Sequence, residues 1–130
     1  MSAPLWRINP LCRESYNYAS SRGFRSGIYA DHVRQVPESL ALIHEEVSEA
    51  LREWRKDDMF PNSRSRGDGK PEGMPAELAD IVLRVCDLAG ALNIDLDAAI
   101  RAVRAWSEEN RLPGHGDVRN HNTMRYGDHQ

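Results

Sequence analysis

Two stretches of the chain place apolar residues at every third or fourth position, and this spacing restricts the fold more than any other feature. They run from Pro37 to Lys56 and from Pro75 to about Leu92. The apolar residues are Leu40, Ile43, Val47, Ala50, Leu51 and Trp54 in the first stretch, and Leu78, Ile81, Val82, Val85, Leu88, Ala89 and Leu92 in the second. Because an α-helix turns once in about 3.6 residues, each series forms a stripe on one helical face. The sequence therefore predicts two amphipathic helices.

The segments before and between these helices give weaker signals. A first helix is predicted over Ile8 to Ser20, and the following stretch from Gly23 to Gln35 has no clear period, which predicts a loop or lid. The segment Asp57 to Gly73 mixes Pro, Gly, Asn, Ser and charged residues without an apolar face. It is predicted to be a mobile loop, and no stretch alternates in the manner of a strand.

A last helix is predicted near the end of the chain. Asp95 or Asp97 can cap its start, and it should run to about Asn110, before Pro113 and two glycines stop it. Its apolar residues are Leu96, Ile100, Val103 and Trp106. The polar tail from about residue 117 is expected to be loose.

Length and composition favour one domain and limit the partners. A chain of 130 residues, 40% hydrophobic and 28% charged, is typical of a single globular domain. Its net charge of -3 argues against a nucleic-acid partner. No apolar stretch is long enough to span a membrane and Met1–Pro10 lacks a secretion signal, so a cytoplasmic location is expected. Cys12 and Cys86 are read as reduced thiols, with Cys86 buried.

These observations together predict an all-α fold of long antiparallel helices. A chain this small has few helices with which to cover both apolar stripes. We therefore expect an antiparallel helical bundle that is completed by homo-oligomerisation, with a homodimer as the minimum.

Each of the two confident helices carries a pair of acidic residues three positions apart. The pairs are Glu46 with Glu49, and Glu77 with Asp80. Residues at this spacing lie about one turn apart on the same helical face, so both side chains can reach one cation. Packing the two apolar stripes together would bring the four carboxylates to a shared groove.

Mg²⁺ is the cation that suits such a cluster. Carboxylates held close together repel one another, and a hard ion with oxygen ligands relieves that repulsion. No Glu-x-x-His motif of the di-iron bundles accompanies the acids, which disfavours iron. The competing interpretation is a solvated helical face, with Arg84 neutralising Glu77 and Asp80 along their own helix.

The acidic helices resemble the MazG-like branch of the all-α nucleoside triphosphate pyrophosphohydrolase superfamily. The segment Leu42–Leu51, Leu-Ile-His-Glu-Glu-Val-Ser-Glu-Ala-Leu, is similar to the first metal-binding helix of that family. The segment Gly69–Ile81, Gly-Lys-Pro-Glu-Gly-Met-Pro-Ala-Glu-Leu-Ala-Asp-Ile, is similar to the approach to its second. The similarity extends over roughly Tyr16 to Gly116 and is densest in these two segments.

The resemblance implies roles for individual residues. The implied metal ligands are Glu46, Glu49, Glu77 and Asp80, and the implied catalytic residues are Glu45, Glu46 and Glu49. Glu45 would help to bind a second metal or activate water, and which acid acts as the base stays open. The implied substrate-binding residues are Lys70, Asn110, Arg111 and His115. Two departures from the family pattern affect that last group, because Trp106 stands where a lysine is expected and the spacing from Asn110 to His115 is compressed.

The activity implied by the resemblance is Mg²⁺-dependent hydrolysis of a nucleoside triphosphate to a monophosphate and pyrophosphate. Mn²⁺ is an alternative ion, and removal of aberrant or excess nucleotides is the implied role. Family members form dimers or dimers of dimers, which agrees with the expected homo-oligomer. Two other interpretations stay open: a non-catalytic, dimeric helical interaction module, and an enzyme similar to phosphoribosyl-ATP pyrophosphohydrolase.

Overall fold

The computed structural model describes residues 6–23 and 32–110 of the chain. In these ranges four helices follow one another, with a short hairpin between the second and the third. The elements are α1 (Asn9–Ser21), α2 (His32–Lys56), β1 (Arg64–Ser65), β2 (Pro71–Glu72), α3 (Met74–Ala91) and α4 (Leu96–Glu109). The helical class predicted from the apolar spacing is confirmed, and none of the described helices has the length and apolar character needed to cross a membrane.

Helix α2 begins earlier than the sequence predicts. It starts at His32, more than one turn before Pro37, so the loop prediction for the residues up to Gln35 is wrong from His32 onward. The apolar spacing becomes clear only from Pro37, and the sequence predicts the start of the helix there. The structure instead has Pro37 inside the helix, where the ring removes one backbone donor. The rest of the predicted loop or lid lies outside the described residues.

The segment between α2 and α3 contains a hairpin where the sequence predicts only a loop. Strands β1 and β2 pair antiparallel, with Arg64 opposite Glu72 and Ser65 opposite Pro71. Two-residue strands are too short to show the alternation of a half-buried strand, so the prediction without strands is wrong here. Their turn is closed by the Gly69 amide, which donates to the Arg66 carbonyl at 2.8 Å.

Gly73 joins the hairpin to α3 in a conformation that only glycine tolerates well. Its φ angle is 97°, and a Cβ atom at this position would lie 2.0 Å from the backbone oxygen of Asn62. Any larger residue would clash with backbone as well as strain the turn. Gly73 therefore fixes where α3, and the acids of its first turns, begin.

Helix α3 packs against both α1 and α2. Along α2 the contacts with α3 run in reverse order: Glu46 pairs with Arg84, whereas the later Glu49 lies near the earlier Glu77. Along α1, Cys12 lies near Gly90, and Asn9 donates to Asp95 at 2.8 Å. Both neighbours are thus antiparallel to α3, as the sequence predicts for its long helices.

Small residues form the buried core between α1 and α3. Cys12, Cys86 and Ala89 are buried, with Ile8, Leu11 and Leu96 packed around them. Burial, together with a hydrogen bond to Cys12, raises the pKa of the Cys86 thiol to about 12, so this thiol stays protonated. The prediction that Cys86 is buried is confirmed.

Helix α4 belongs to a second compact unit. The chain divides into Met1–Leu96 and Asp97–Gln130, and the described part of the latter is α4 without its first residue, Leu96, together with Asn110. The helix begins directly after Asp95 and ends at Glu109, close to the predicted boundaries. Val103 and Trp106 on this helix are exposed. The expectation of one domain stays a prediction.

Candidate metal centre and adjoining groove

Three carboxylates from two helices meet between α2 and α3. Glu46 of α2 and the pair Glu77 and Asp80 of α3 each place a carboxylate oxygen within 4.8 Å of the others. The pair shares a face because its members are three residues apart, and the antiparallel packing brings Glu46 opposite them. Glu46 is only 7% exposed. We refer to Glu46, Glu77 and Asp80 as the acid cluster.

Arg84 provides a positive charge beside the acid cluster. Its Nε atom donates to Glu46 Oε1 at 2.5 Å, and its side chain remains partly exposed. The solvated-face interpretation expected Arg84 to neutralise Glu77 and Asp80 on its own helix. The ion pair in the structure instead crosses from α3 to α2, and it satisfies the buried Glu46 carboxylate.

Glu77 shows the electrostatic cost of assembling these acids. Burial raises the pKa of its carboxyl group, and the neighbouring charges of Glu49, Asp80, Glu46 and Glu53 raise it further. Both causes disfavour the ionised form, the first by removing water and the second by repulsion. A cation among these oxygens would offset the repulsion and favour the ionised form.

Glu49 and Glu45 lie close in sequence to the acid cluster but outside it. Glu49 accepts a hydrogen bond from Arg52 at 2.8 Å, and its charge is near enough to raise the pKa of Glu77. Glu45 is exposed on α2. The structure thus brings three of the four predicted metal ligands together, and the roles of Glu49 as a ligand and Glu45 in water activation stay predictions.

The predicted substrate-binding residues are not gathered at the acid cluster. Lys70 is exposed in the hairpin turn, where its backbone amide donates to Asp68 Oδ1 at 3.1 Å. Asn110 follows α4 in the second unit, and its side-chain amide donates to the Trp106 carbonyl at 2.8 Å. Arg111 and His115 lie outside the described residues. Their contacts with substrate stay predictions.

Arg64 is a structural residue of this region that no sequence motif identifies. Its guanidinium group forms ion pairs with both Glu53 and Asp57, which ties β1 to the end of α2. Hydrogen bonds to Glu53 are the largest cause of a raised pKa at Arg64. Arg66 forms an ion pair within the turn, with Asp68. Nothing in the spacing of these basic residues distinguishes them.

A groove of about 690 Å³ opens beside the acid cluster. It lies between α1, α2 and α3, and it includes Glu46 and Asp80 of the cluster together with Arg84. The other residues that line it are Leu11, Glu14, Ser15, Tyr18, Ala19, Gln35, Glu38, Ser39, Leu42, Leu83 and Asp87. Five of these belong to α1, a helix to which the sequence assigned no functional residue.

Ser15 is an unusual member of the groove lining. Its hydroxyl oxygen is buried and has no hydrogen-bond partner. Buried polar groups are nearly always satisfied by protein or water, so this hydroxyl is an exception. A lone serine gives no sequence signal of this kind.

Comparisons of the chain with protein-family models, with curated proteins and with solved structures return no match. The resemblance to MazG-like pyrophosphohydrolases therefore stays a prediction that rests on the two acidic segments and their neighbours.

Proposed function

We propose that the chain is a Mg²⁺-dependent nucleoside triphosphate pyrophosphohydrolase. The observation that supports this most directly is the convergence of Glu46, Glu77 and Asp80 within 4.8 Å of one another. Two of these acids also line a groove of about 690 Å³, which is in the size range of small-molecule sites. A cation site that opens into a ligand-sized groove is what hydrolysis of a nucleotide requires.

The donor set fits Mg²⁺ better than a softer metal. All three members of the acid cluster offer carboxylate oxygen, whereas zinc sites draw mainly on cysteine and histidine. Mg²⁺ keeps several waters and is commonly shared between a few carboxylates and substrate phosphates. Mn²⁺ accepts the same oxygen ligands, so we propose it as an alternative ion.

The chain's own residues have defined parts in this proposal. Glu46, Glu77 and Asp80 would hold the ion, which when bound would neutralise phosphate oxygens and stabilise the departing pyrophosphate. Arg84 would keep Glu46 in place and, being partly exposed in the groove, is available to face the anionic substrate. Glu45 or Glu49 would accept the proton of the attacking water. The choice of the bond cut rests on the resemblance to the MazG-like family.

We also propose that the bundle is completed by a second copy of the chain. Large apolar residues of the predicted stripes remain exposed on α2 and α3, namely Leu40, Val47, Leu51, Leu78 and Val82. Exposed apolar side chains that recur along two neighbouring helices support an interaction surface there when they form one patch. Sedimentation equilibrium tests this directly: we expect a dimer or a dimer of dimers, and a monomer at all concentrations would contradict it.

The direct test of the activity is pyrophosphate release from a panel of canonical and modified nucleoside triphosphates. Wild type should release pyrophosphate with Mg²⁺ and lose this activity with a chelator. Asp80→Asn removes one charge from the acid cluster at nearly constant volume and should be inactive. Glu108→Gln, an exposed α4 residue, is the matched control and should retain full activity. No release from any nucleotide would contradict the proposal and leave the interaction-module interpretation.

A further inference from the structure

Arg84 is the one basic side chain among the described residues that line the groove. The acidic residues of this lining are Glu14, Glu38, Glu46, Asp80 and Asp87. A nucleoside triphosphate brings further negative charge, and repulsion between like charges is strong where water is partly excluded. The phosphate chain therefore needs positive charge beside it. Within the described groove, that charge can come from an ion at the acid cluster and from the guanidinium group of Arg84.

Arg84 lies directly beside the acid cluster. It follows Asp80 on α3 by four residues, which is about one helical turn, or about 6 Å along the axis. Its Nε atom donates to Glu46 Oε1 at 2.5 Å. Both neighbours belong to the acid cluster, so the guanidinium group is held next to the oxygens that would bind the ion.

The contact with Glu46 leaves most of the guanidinium group available. Arginine has five N–H donors in a planar fork, and the donor used here is on Nε. The two terminal nitrogens have no hydrogen-bond partner among the described residues, and the side chain is 41% exposed. Such a fork can bind a phosphate through two parallel hydrogen bonds. Because Glu46 already restrains the side chain, little further freedom is lost on binding.

We propose that Arg84 is a specificity-determining residue, whose terminal nitrogens bind the phosphate next to the one held by the ion. This inference rests on the proposed function, which places the ion at the acid cluster. Two neighbouring positive charges suit two linked phosphates, whereas a monophosphate engages only one of them. The site therefore takes nucleoside di- and triphosphates and releases the monophosphate product.

Two phosphonates test this selection without involving the base or turnover. Methylenediphosphonate carries two linked phosphate-like groups, methylphosphonate carries one, and neither is hydrolysed at the bridging carbon. Titration calorimetry with Mg²⁺ present measures the binding of each. We expect wild type to bind methylenediphosphonate about tenfold or more tightly, the factor that corresponds to about 1.4 kcal/mol. Equal binding of the two, or binding of neither, would overturn the inference.

Substitution of Arg84 should remove this preference. Arg84→Gln should weaken methylenediphosphonate about tenfold or more and methylphosphonate less than about threefold. Arg84→Lys keeps the charge, but one ammonium group cannot hold Glu46 and also present two parallel donors, so it too should bind the diphosphonate less tightly. Arg55→Gln, at an exposed position of α2, is the matched control and should bind as wild type does. Wild-type affinity in either Arg84 variant, or an equal loss for both ligands, would overturn the inference.

Metal binding without phosphonate separates phosphate binding from a role in holding Glu46. The amide of Arg84→Gln can still donate to Glu46, and the variant removes a positive charge from beside the ion. The rise in melting temperature on adding Mg²⁺ should therefore be at least as large as in wild type. Loss of that rise would show that Arg84 acts by positioning Glu46, and would overturn the inference.

Turnover distinguishes failure of this inference from failure of the proposed function. If wild type hydrolyses a nucleoside triphosphate and Arg84→Gln does so with unchanged KM and kcat, the activity stands and the role of Arg84 falls. If wild type hydrolyses no nucleoside triphosphate and binds neither phosphonate, both fall together.

Discussion

Helix α3 presents two faces that differ in their residues: one is small and uncharged, and the other is acidic. Towards α1 it offers small, uncharged residues, where Cys86, Ala89 and Gly90 allow close approach to Cys12. Towards α2 it carries Glu77 and Asp80 against Glu46, where burial and the neighbouring negative charges raise the pKa of Glu77. The first face is what stability alone would favour. The second costs stability, and such costs concentrate at functional sites.

The largest effect expected from this contrast is on turnover. Glu46→Gln, Glu77→Gln and Asp80→Asn should each reduce Mg²⁺-dependent pyrophosphate release by about a hundredfold or more, since each removes a charge that would hold the ion. Helicity by circular dichroism should not change. Glu49→Gln is informative beside them, because a comparable loss would make Glu49 a ligand or base. Wild-type rates in all four variants would show that the face of α3 towards α2 is an ordinary solvated surface.

The α1 face should respond in the opposite way, through folding and not through metal. A Cβ atom at Gly90 would lie 2.5 Å from the Cys12 backbone oxygen. Gly90→Val should therefore lower the free energy of unfolding by roughly 1–3 kcal/mol, the usual cost of overpacking, in urea denaturation. Gly67→Ala is the control, since nothing lies within 4 Å of a Cβ atom there. Equal stability of the two variants would mean that α1 and α3 do not pack as described.

The smallest expected effect is on the thermal stability of the metal-free protein when Glu77 is replaced. Its direction tests the account most sharply, because removing the charge should stabilise the protein. The pKa of Glu77 is raised by folding, so its favourable contribution is complete only below the unfolded pKa and is lost as pH rises through the folded pKa. Glu77→Gln should therefore raise the melting temperature at pH 7 in the presence of a chelator, and change it little near pH 4.

Mg²⁺ should reverse the order of stability of wild type and the Glu77→Gln variant. An ion that binds only the folded wild type stabilises it by about 2.7 kcal/mol at a hundredfold excess over its dissociation constant. The Glu77→Gln variant should gain much less from Mg²⁺. If this variant is less stable than wild type in chelator at pH 7, the repulsion within the acid cluster is not as we describe.

The sequence predicts those parts of the molecule that depend on local spacing. The helical stripes, the acid pairs and the approach of Glu46 to the pair on α3 follow from a 3.6-residue period and from packing one stripe on another. The position of Arg84 does not, because pairing along α3 and pairing across to α2 are equally compatible with the sequence. The structure selects the second.

The groove is formed by residues from three helices, so it could not be predicted from the sequence. The sequence gives α1 a modest apolar period and no recognisable motif, yet this helix contributes Glu14, Ser15 and Tyr18 to the wall. The ties of Arg64 to Glu53 and Asp57 likewise span residues that no short-range rule connects. Local rules therefore predict the proposed metal ligands, while the groove depends on how the helices pack.

The bond that is cut tests the central claim most directly. Wild type can be incubated with Mg²⁺ and a preferred nucleoside triphosphate in ¹⁸O-labelled water. The products are then separated by chromatography, and mass spectrometry identifies which of them carries the label. We predict that monophosphate and pyrophosphate appear together from the first time point, with the label in one of the two and no diphosphate intermediate. Stepwise accumulation of nucleoside diphosphate and free phosphate would contradict a pyrophosphohydrolase, even if Glu46, Glu77 and Asp80 proved essential.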